Sequence, residues 1–240
     1  MTNSTTTALV SGANKGIGFE TTRQLLAAGW TVWLGARDAV RGQEAADKLT
    51  AEGHPGTVRQ LTLDVTDDSS VAAAVETVTE TGLDVLVNNA GIAGGLTPPA
   101  ETTAADFLPV YGVNVLGPVR MTHAFLPLLE KSEHPRIVNV SSGLGSFAIT
   151  NEPGRIESTI YGLVYPSSKS ALNMITTMYA KALPHLRINV VDPGYTATDL
   201  NGNSGTQPVE VGAAPVIAAA MIAKDGPTGG YFGNDGPLPW

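Results

Sequence analysis

Short apolar runs alternate along this chain with longer stretches in which apolar residues recur every three or four positions. Thr7-Ala8-Leu9-Val10, Thr31-Val32-Trp33-Leu34-Gly35 and residues 58–63, 84–87, 136–140 and 186–191 read as strands, most of them apolar on both faces as buried parallel strands are. Phe19, Thr22, Leu25 and Leu26 recur at helical spacing, and an Ala/Glu-rich helix is predicted over 38–52. Thr66-Asp67-Asp68-Ser69 offers N-caps for an alanine-rich helix reaching about residue 80. Residues 103–132 are helical in pattern but interrupted by Pro109, Gly112 and Gly117-Pro118, which predicts a bend there. Two more helices are expected over 165–183 and 209–223, and a short seventh strand at Tyr231-Phe232. Strands that alternate with helices in this way predict an α/β fold with a mainly parallel seven-stranded sheet, doubly wound by helices.

Composition narrows the partners. The 240 residues carry a net charge of −8 with no run of lysines or arginines, which argues against nucleic acid and anionic membrane and for a small molecule. There is no cysteine, so a thiol nucleophile, a disulfide framework and cysteine-ligated metal are excluded; no metal is expected. The first seven residues lack a signal-peptide pattern, and the longest apolar run, 213–223, is too short to span a bilayer. A soluble, cytoplasmic protein is the expectation.

The candidate chemistry lies where predicted strands end. The first strand runs into Ser11-Gly12-Ala13-Asn14-Lys15-Gly16-Ile17-Gly18 and then a helix. Glycines there permit positive φ and let phosphates approach bare amides at a helix N-terminus. The spacing departs from Gly-x-Gly-x-x-Gly, so tight packing alone remains an alternative reading. About 20 residues on, where an NAD-binding unit has an acidic residue for the ribose hydroxyl, stand Ala36 and Arg37. Arg37 and Lys15 place positive charge where a 2′-phosphate would lie, which favours NADP(H). Asp64 is either an acceptor for an adenine amino group or a turn aspartate. Asn88-Asn89-Ala90-Gly91 ends the fourth strand, and Ser141-Ser142-Gly143 ends the fifth; a hydrolase elbow is ruled out at Ser142 because Val140 stands where its first glycine belongs. Tyr165 and Lys169, four residues apart on a helix, share one face. A cation within ~4–6 Å favours phenolate, so the tyrosine pKa is expected to fall. Asn201 to Gly205 reads as a mobile lid.

Together these motifs resemble the short-chain dehydrogenase/reductase family, particularly its carbonyl-reductase-like branch, over nearly the whole chain. Ser11 to Gly18 resembles the family's Thr-Gly-x-x-x-Gly-x-Gly turn with Ser for Thr, Asn88 to Gly91 its Asn-Asn-Ala-Gly, and Tyr165 with Lys169 its Tyr-x-x-x-Lys. The resemblance implies a single Rossmann-type domain over 1–240, with 1–145 mainly cofactor-binding and 142–240 catalytic and substrate-binding. It implies a catalytic set of Asn114, Ser142, Tyr165 and Lys169, with Asn114 holding a water that relays protons from Lys169. Cofactor contacts are implied at Gly12, Asn14, Lys15, Gly16, Ile17, Gly18, Arg37, Asp64, Val65, Asn88, Ala90, Gly91, Tyr165, Lys169, Pro193, Gly194 and Thr196, with Arg41 adding to the phosphate site. Phe147, Tyr161 and Tyr195 are expected to wall an apolar substrate pocket. The implied reaction is hydride transfer between NADPH and a carbonyl or alcohol, with an aldehyde, ketone or quinone as substrate. A non-catalytic NADP-binding sensor is the alternative, and a sugar-nucleotide epimerase or dehydratase a second enzyme reading. About ten residues more than in the commonest members separate Ser142 from Tyr165, in the 149–162 region. A homo-oligomer joined through residues 103–132 and 165–183 is expected.

Overall fold

The computed structural model describes residues 5–95 and 97–240. One eight-stranded sheet runs in the order β3-β2-β1-β4-β5-β6-β7-β8. Its strands are β1 (Thr7–Ser11), β2 (Thr31–Ala36), β3 (Thr57–Thr62), β4 (Val85–Asn88), β5 (Arg136–Val140), β6 (Arg187–Val191), β7 (Tyr231–Gly233) and β8 (Gly236–Pro237). Every neighbouring pair is parallel except β7 and β8. The seven-strand expectation is therefore corrected to eight. The extra strand is two residues folded back on β7 through a turn in which Gly236 holds φ +111°, a tight hairpin too short to carry its own period-2 pattern.

Alternate residues of the strands feed two cores. Ala8, Val10, Val32, Leu34, Val85 and Val87 face α1 (Gly16–Ala27), α2 (Ala39–Ala51) and α8 (Val209–Ala220), with Leu25, Leu49 and Val216 filling that layer. Leu9, Trp33, Leu86, Ile137 and Ile188 face the opposite layer. There, α3 (Asp68–Val78), α5 (Gly117–Leu129) and α7 (Val164–Ala182) contribute Val71, Met121, Phe125 and Ala180. Two smaller helices complete the set, α4 (Ala104–Tyr111) and α6 (Phe147–Thr150). The predicted bend in 103–132 is a π turn, Gly112–Leu116, between α4 and α5. Asp67 caps α3 and Asp38 caps α2 through acceptor bonds from the second and third backbone amides beyond each. Strand order reverses at β1, so the carboxyl ends of β1 and β4 open a crevice between them, the position at which open α/β sheets bind ligands.

Candidate active site

The crevice is floored by the glycine turn. Gly12 (φ +63°) and Gly16 (φ +57°) adopt the left-handed region that favours glycine, and Lys15, the N-cap of α1, gives no side-chain cap to the helix amides. A Cβ on Gly18 would strike the Asn89 amide and come within 2.7 Å of the Gly12 carbonyl oxygen. Asn89 explains that closeness: its Nδ2 donates to the carbonyls of Ser11 (2.9 Å) and Gly12 (3.1 Å), while the Ser11 hydroxyl accepts from the Asn89 and Ala90 amides at 3.1 Å. The turn is thus bare backbone tied to the end of β4, with uncapped N–H groups at a helix N-terminus. That arrangement fits a dinucleotide's phosphates.

The second half of the site is built on α7. Lys169 is only 4% exposed and its Nζ donates to the Val140 carbonyl at 2.9 Å, lying 5.6 Å from the centre of the Tyr165 ring. The turn after β5 is fastened to the same helix. Asn173 donates to the Gly145 carbonyl (3.1 Å) and accepts from the Ser141 hydroxyl (2.6 Å), and Ser170 also donates to Gly145 (2.9 Å). A Cβ on Gly145 would sit 2.8 Å from the Lys169 backbone, so the turn lies flat on α7 and brings Ser142 to Tyr165. Asn114, fully buried in the π turn, accepts from the Ile92 amide and donates to the Ile92 carbonyl, both at 2.9 Å, and donates to Ser168 at 3.1 Å.

Burial governs the electrostatics. The Tyr165 phenol, packed in protein at its hydroxyl end, is pushed up to about 12 by burial, against a downward pull from Ser142 and with a further push from the Asp192 charge. Burial drives Lys169 down to about 8, with Asp192 acting the other way. The expectation that the lysine lowers the tyrosine is therefore reversed here. The ammonium is engaged with Val140, and burial governs both groups.

A family model for short chain dehydrogenases matches residues 6–208. The chain belongs to the short-chain dehydrogenase family. It is 37% identical to (+)-neomenthol dehydrogenase of Arabidopsis thaliana, over 94% of this chain and 95% of that protein. Among solved structures it is similar to NADPH-bound carbonyl reductase from chicken fatty liver, with a TM-score of 0.85 and 28% identity over 98% of this chain and 99% of that one. Salutaridine reductase from Papaver somniferum matches at a TM-score of 0.80 and 30% identity, over 94% and 99% of the two chains.

Within this short-chain dehydrogenase the other predicted positions divide. Gly91 joins the two halves, since a Cβ there would lie 3.5 Å from the Asn114 Oδ1 and 3.7 Å from the Lys169 Nζ. Asn14 and Ile17 flank the glycine turn, and Arg37 stands exposed just past β2. Lys15 is paired with Asp199 at 2.7 Å, and Arg41 leans on Asp38 at 3.7 Å. Asp64 accepts through Oδ1 from the amide and hydroxyl of Thr66 at 2.8 and 2.7 Å. Val65 is buried against Gly117. The Asn88 side chain faces into the sheet and donates to Asn139 at 2.8 Å, so it is Asn89 rather than Asn88 whose amide shapes the cradle. Pro193 is buried and Gly194 exposed with φ +71°. The Thr196 hydroxyl is spent on the Pro193 carbonyl (3.1 Å) and on Gln207 (3.0 Å). The segment read as a lid forms a structured turn, in which Asn201 donates to the Thr196 carbonyl at 2.9 Å. Phe147 and Tyr161 are 74% and 76% exposed, and the Tyr195 hydroxyl meets Ser204 at 2.5 Å; no enclosed aromatic pocket forms among them. Asn173 and Gln207 escaped the sequence reading because their work is done on backbone groups far away in the chain. The doubled asparagine of Asn88-Asn89 was the visible signal for Asn89.

Proposed function

We propose that this NADP(H)-dependent oxidoreductase transfers hydride between nicotinamide and a carbonyl or alcohol carbon, with Tyr165 as the acid in reduction. The convergence of Ser142, Tyr165 and Lys169 at the carboxyl end of β5 carries this reading, because it sets a phenol and a hydroxyl side by side next to a buried cation. Bound NADPH would supply the hydride. A substrate oxygen held by the Ser142 hydroxyl would take the Tyr165 proton, and a phenol that burial keeps protonated is suited to giving one. Lys169 would stabilise the phenolate left behind and bind the nicotinamide ribose. Asn114, bonded to Ile92 and Ser168, fixes the π turn against α7 and would hold there a water that relays protons from Lys169.

The phosphates would lie on the amides of 12–18, with Arg37 and Lys15 toward the 2′-phosphate, so cofactor binding belongs mainly to residues 1–145 and substrate binding to 142–240. Val65, Ala90, Gly91, Pro193, Gly194 and Thr196 would line the cofactor through their backbone or apolar surface. The exposed apolar groups Phe147, Ile160, Tyr161 and Tyr195 support an apolar aldehyde, ketone or quinone. A non-catalytic sensor has no need of the buried lysine beside the tyrosine and is not favoured. Among the described residues no helix is long and apolar enough to cross a membrane, and we place the protein in the cytoplasm. We also assign a homo-oligomer. Leu108, Leu116, Met174 and Met178 stand exposed on α4, the π turn and α7, at 72%, 54%, 61% and 45%. NADPH consumption across a panel of aldehydes, ketones and quinones tests the activity, and light scattering showing only monomer at micromolar concentration rejects the oligomer.

A further inference from the structure

Asp192 is the acidic residue that acts on both members of the reactive pair, and the proposed hydride transfer gives it no task. It follows β6, is 8% exposed, and its amide donates to the Phe232 carbonyl at 2.8 Å, which fixes it against β7. Its Oδ1 accepts from the Gly194 amide at 2.9 Å. Its Oδ2 lies on Gly143, 3.2 Å from where a Cβ would stand, and Glu157 Oε1 lies 2.9 Å from the same point. A methyl there would press on both carboxylates. The carboxylate therefore sits between the turn that carries Ser142 and the turn that carries Pro193 and Gly194.

The groups facing it come from four elements. Its charge acts on Tyr165 and Lys169 of α7 and on Tyr231 of β7; the Gly143 amide donates to it from the turn after β5, and the charges of Glu157 and Arg155 act on it from the 149–162 region. Arg155 Nε stands 3.5 Å from Glu157 Oε2, which directs the cation toward this cluster. Burial and Glu157 push the Asp192 carboxyl above its ordinary range, while the Gly194 and Gly143 amides and Arg155 pull it down. The Tyr231 hydroxyl is buried with no hydrogen-bond partner beside it.

We propose that Asp192 is a positioning residue for the reactive pair: its buried carboxylate braces the Gly143 turn against the Gly194 turn and is the negative charge against which the Lys169 ammonium and Tyr165 hydroxyl are held. The negative charge raises both pKa values, so it keeps the lysine cationic and the tyrosine a phenol, the two states that carbonyl reduction requires. Glu157 and Arg155 set how much of that charge is present as pH falls. This inference rests on the proposed roles of Tyr165 and Lys169.

Its test does not use turnover. Lysine labelled with ¹³C at Cε is titrated by NMR in the ligand-free protein, the Lys169 signal being identified as the one that Lys169→Met removes. In the wild type that midpoint should lie well below that of a free lysine, at about 8. Asp192→Asn should move the midpoint toward acid by about one pH unit, as loss of a nearby opposite charge does. Asp192→Ser, smaller and still able to accept from the Gly194 amide, should move it equally and serves if the asparagine variant does not fold. Glu157→Gln leaves the Asp192 carboxyl in place against the Gly194 and Gly143 turns and should move the midpoint less than Asp192→Asn does. A midpoint unmoved in the folded neutral variant overturns the proposal, as does an equal movement in Glu157→Gln. Failure of the parent reading would show separately, as full turnover in Tyr165→Phe.

Discussion

The two halves of the cleft are held together by different means. On the β1 side the cradle is backbone: glycines at positive φ, uncapped amides and one asparagine that ties two carbonyls. On the β5–β6 side it is buried side chains, with Lys169, Asn173 and Asn114 each committed to a distant backbone group and Asp192 to the Gly194 amide of its own turn. Backbone recognition binds phosphates without any titrating group and tolerates no added carbon. Side-chain recognition makes proton chemistry possible, and the cost is desolvation of the groups that carry it.

The largest effect that would break this contrast belongs to the side-chain half. Tyr165→Phe should lower kcat by about 10²–10⁴-fold, the usual worth of a general acid, while the NADPH dissociation constant read by fluorescence titration stays within about twofold. Near wild-type turnover in that variant would remove the acid from Tyr165. The backbone half should answer in the opposite sense. Gly18→Ala forces a methyl onto Asn89 and the Gly12 carbonyl, so NADPH affinity should fall about tenfold or more and stability by ~1–3 kcal/mol, seen in the same titration and in urea melts.

Cofactor choice is the next test. Arg37 stands exposed with its charge available, whereas Lys15 is already paired with Asp199, so the two should not count equally. Arg37→Ala should reduce the NADPH-over-NADH preference in kcat/KM by about tenfold, from the ~1.5–3 kcal/mol of a charge-assisted bond lessened by solvent. Lys15→Ala should reduce it less. Equal losses would mean that the Lys15–Asp199 pair opens freely.

The smallest effect concerns stability. Lys169 in the folded protein releases its proton near pH 8, below the 10.5 of an unperturbed lysine. Between those values the unfolded chain holds the extra proton, so the cost of burying this group, full below that window, shrinks as pH rises through it. Lys169→Met should therefore gain melting temperature relative to the wild type at pH 7, and the gain should shrink by pH 10. A gain that is constant across that range would place the lysine's burial cost elsewhere.

Local pattern made much of this legible in the sequence. The six long strands and most helices lie where alternating apolar runs put them, and Pro109, Gly112 and Gly117-Pro118 marked the segment that becomes a π turn. The glycine turn announced its conformation because positive φ selects glycine at the residues that need it. What escaped was set by contacts between distant segments. Two-residue β8 has no period of its own; the burial of Asp192 is imposed by β7 and the 149–162 region; and the direction of the Tyr165 shift comes from packing that no i, i+4 spacing contains.

The π turn sets the phase of the whole helix beyond it. Five residues, Gly112–Leu116, take the wider turn, which inserts one residue relative to an α-helix and so rotates α5 by about 100°. With that offset, Asn114 reaches Ile92 and Ser168 while Met121 and Phe125, further along α5, still meet the sheet. Removing one residue there would restore a regular helix and, in doing so, turn either the asparagine away from the site or the core face of α5 away from the sheet. Site and core are in register only because the helix between them is out of step with itself.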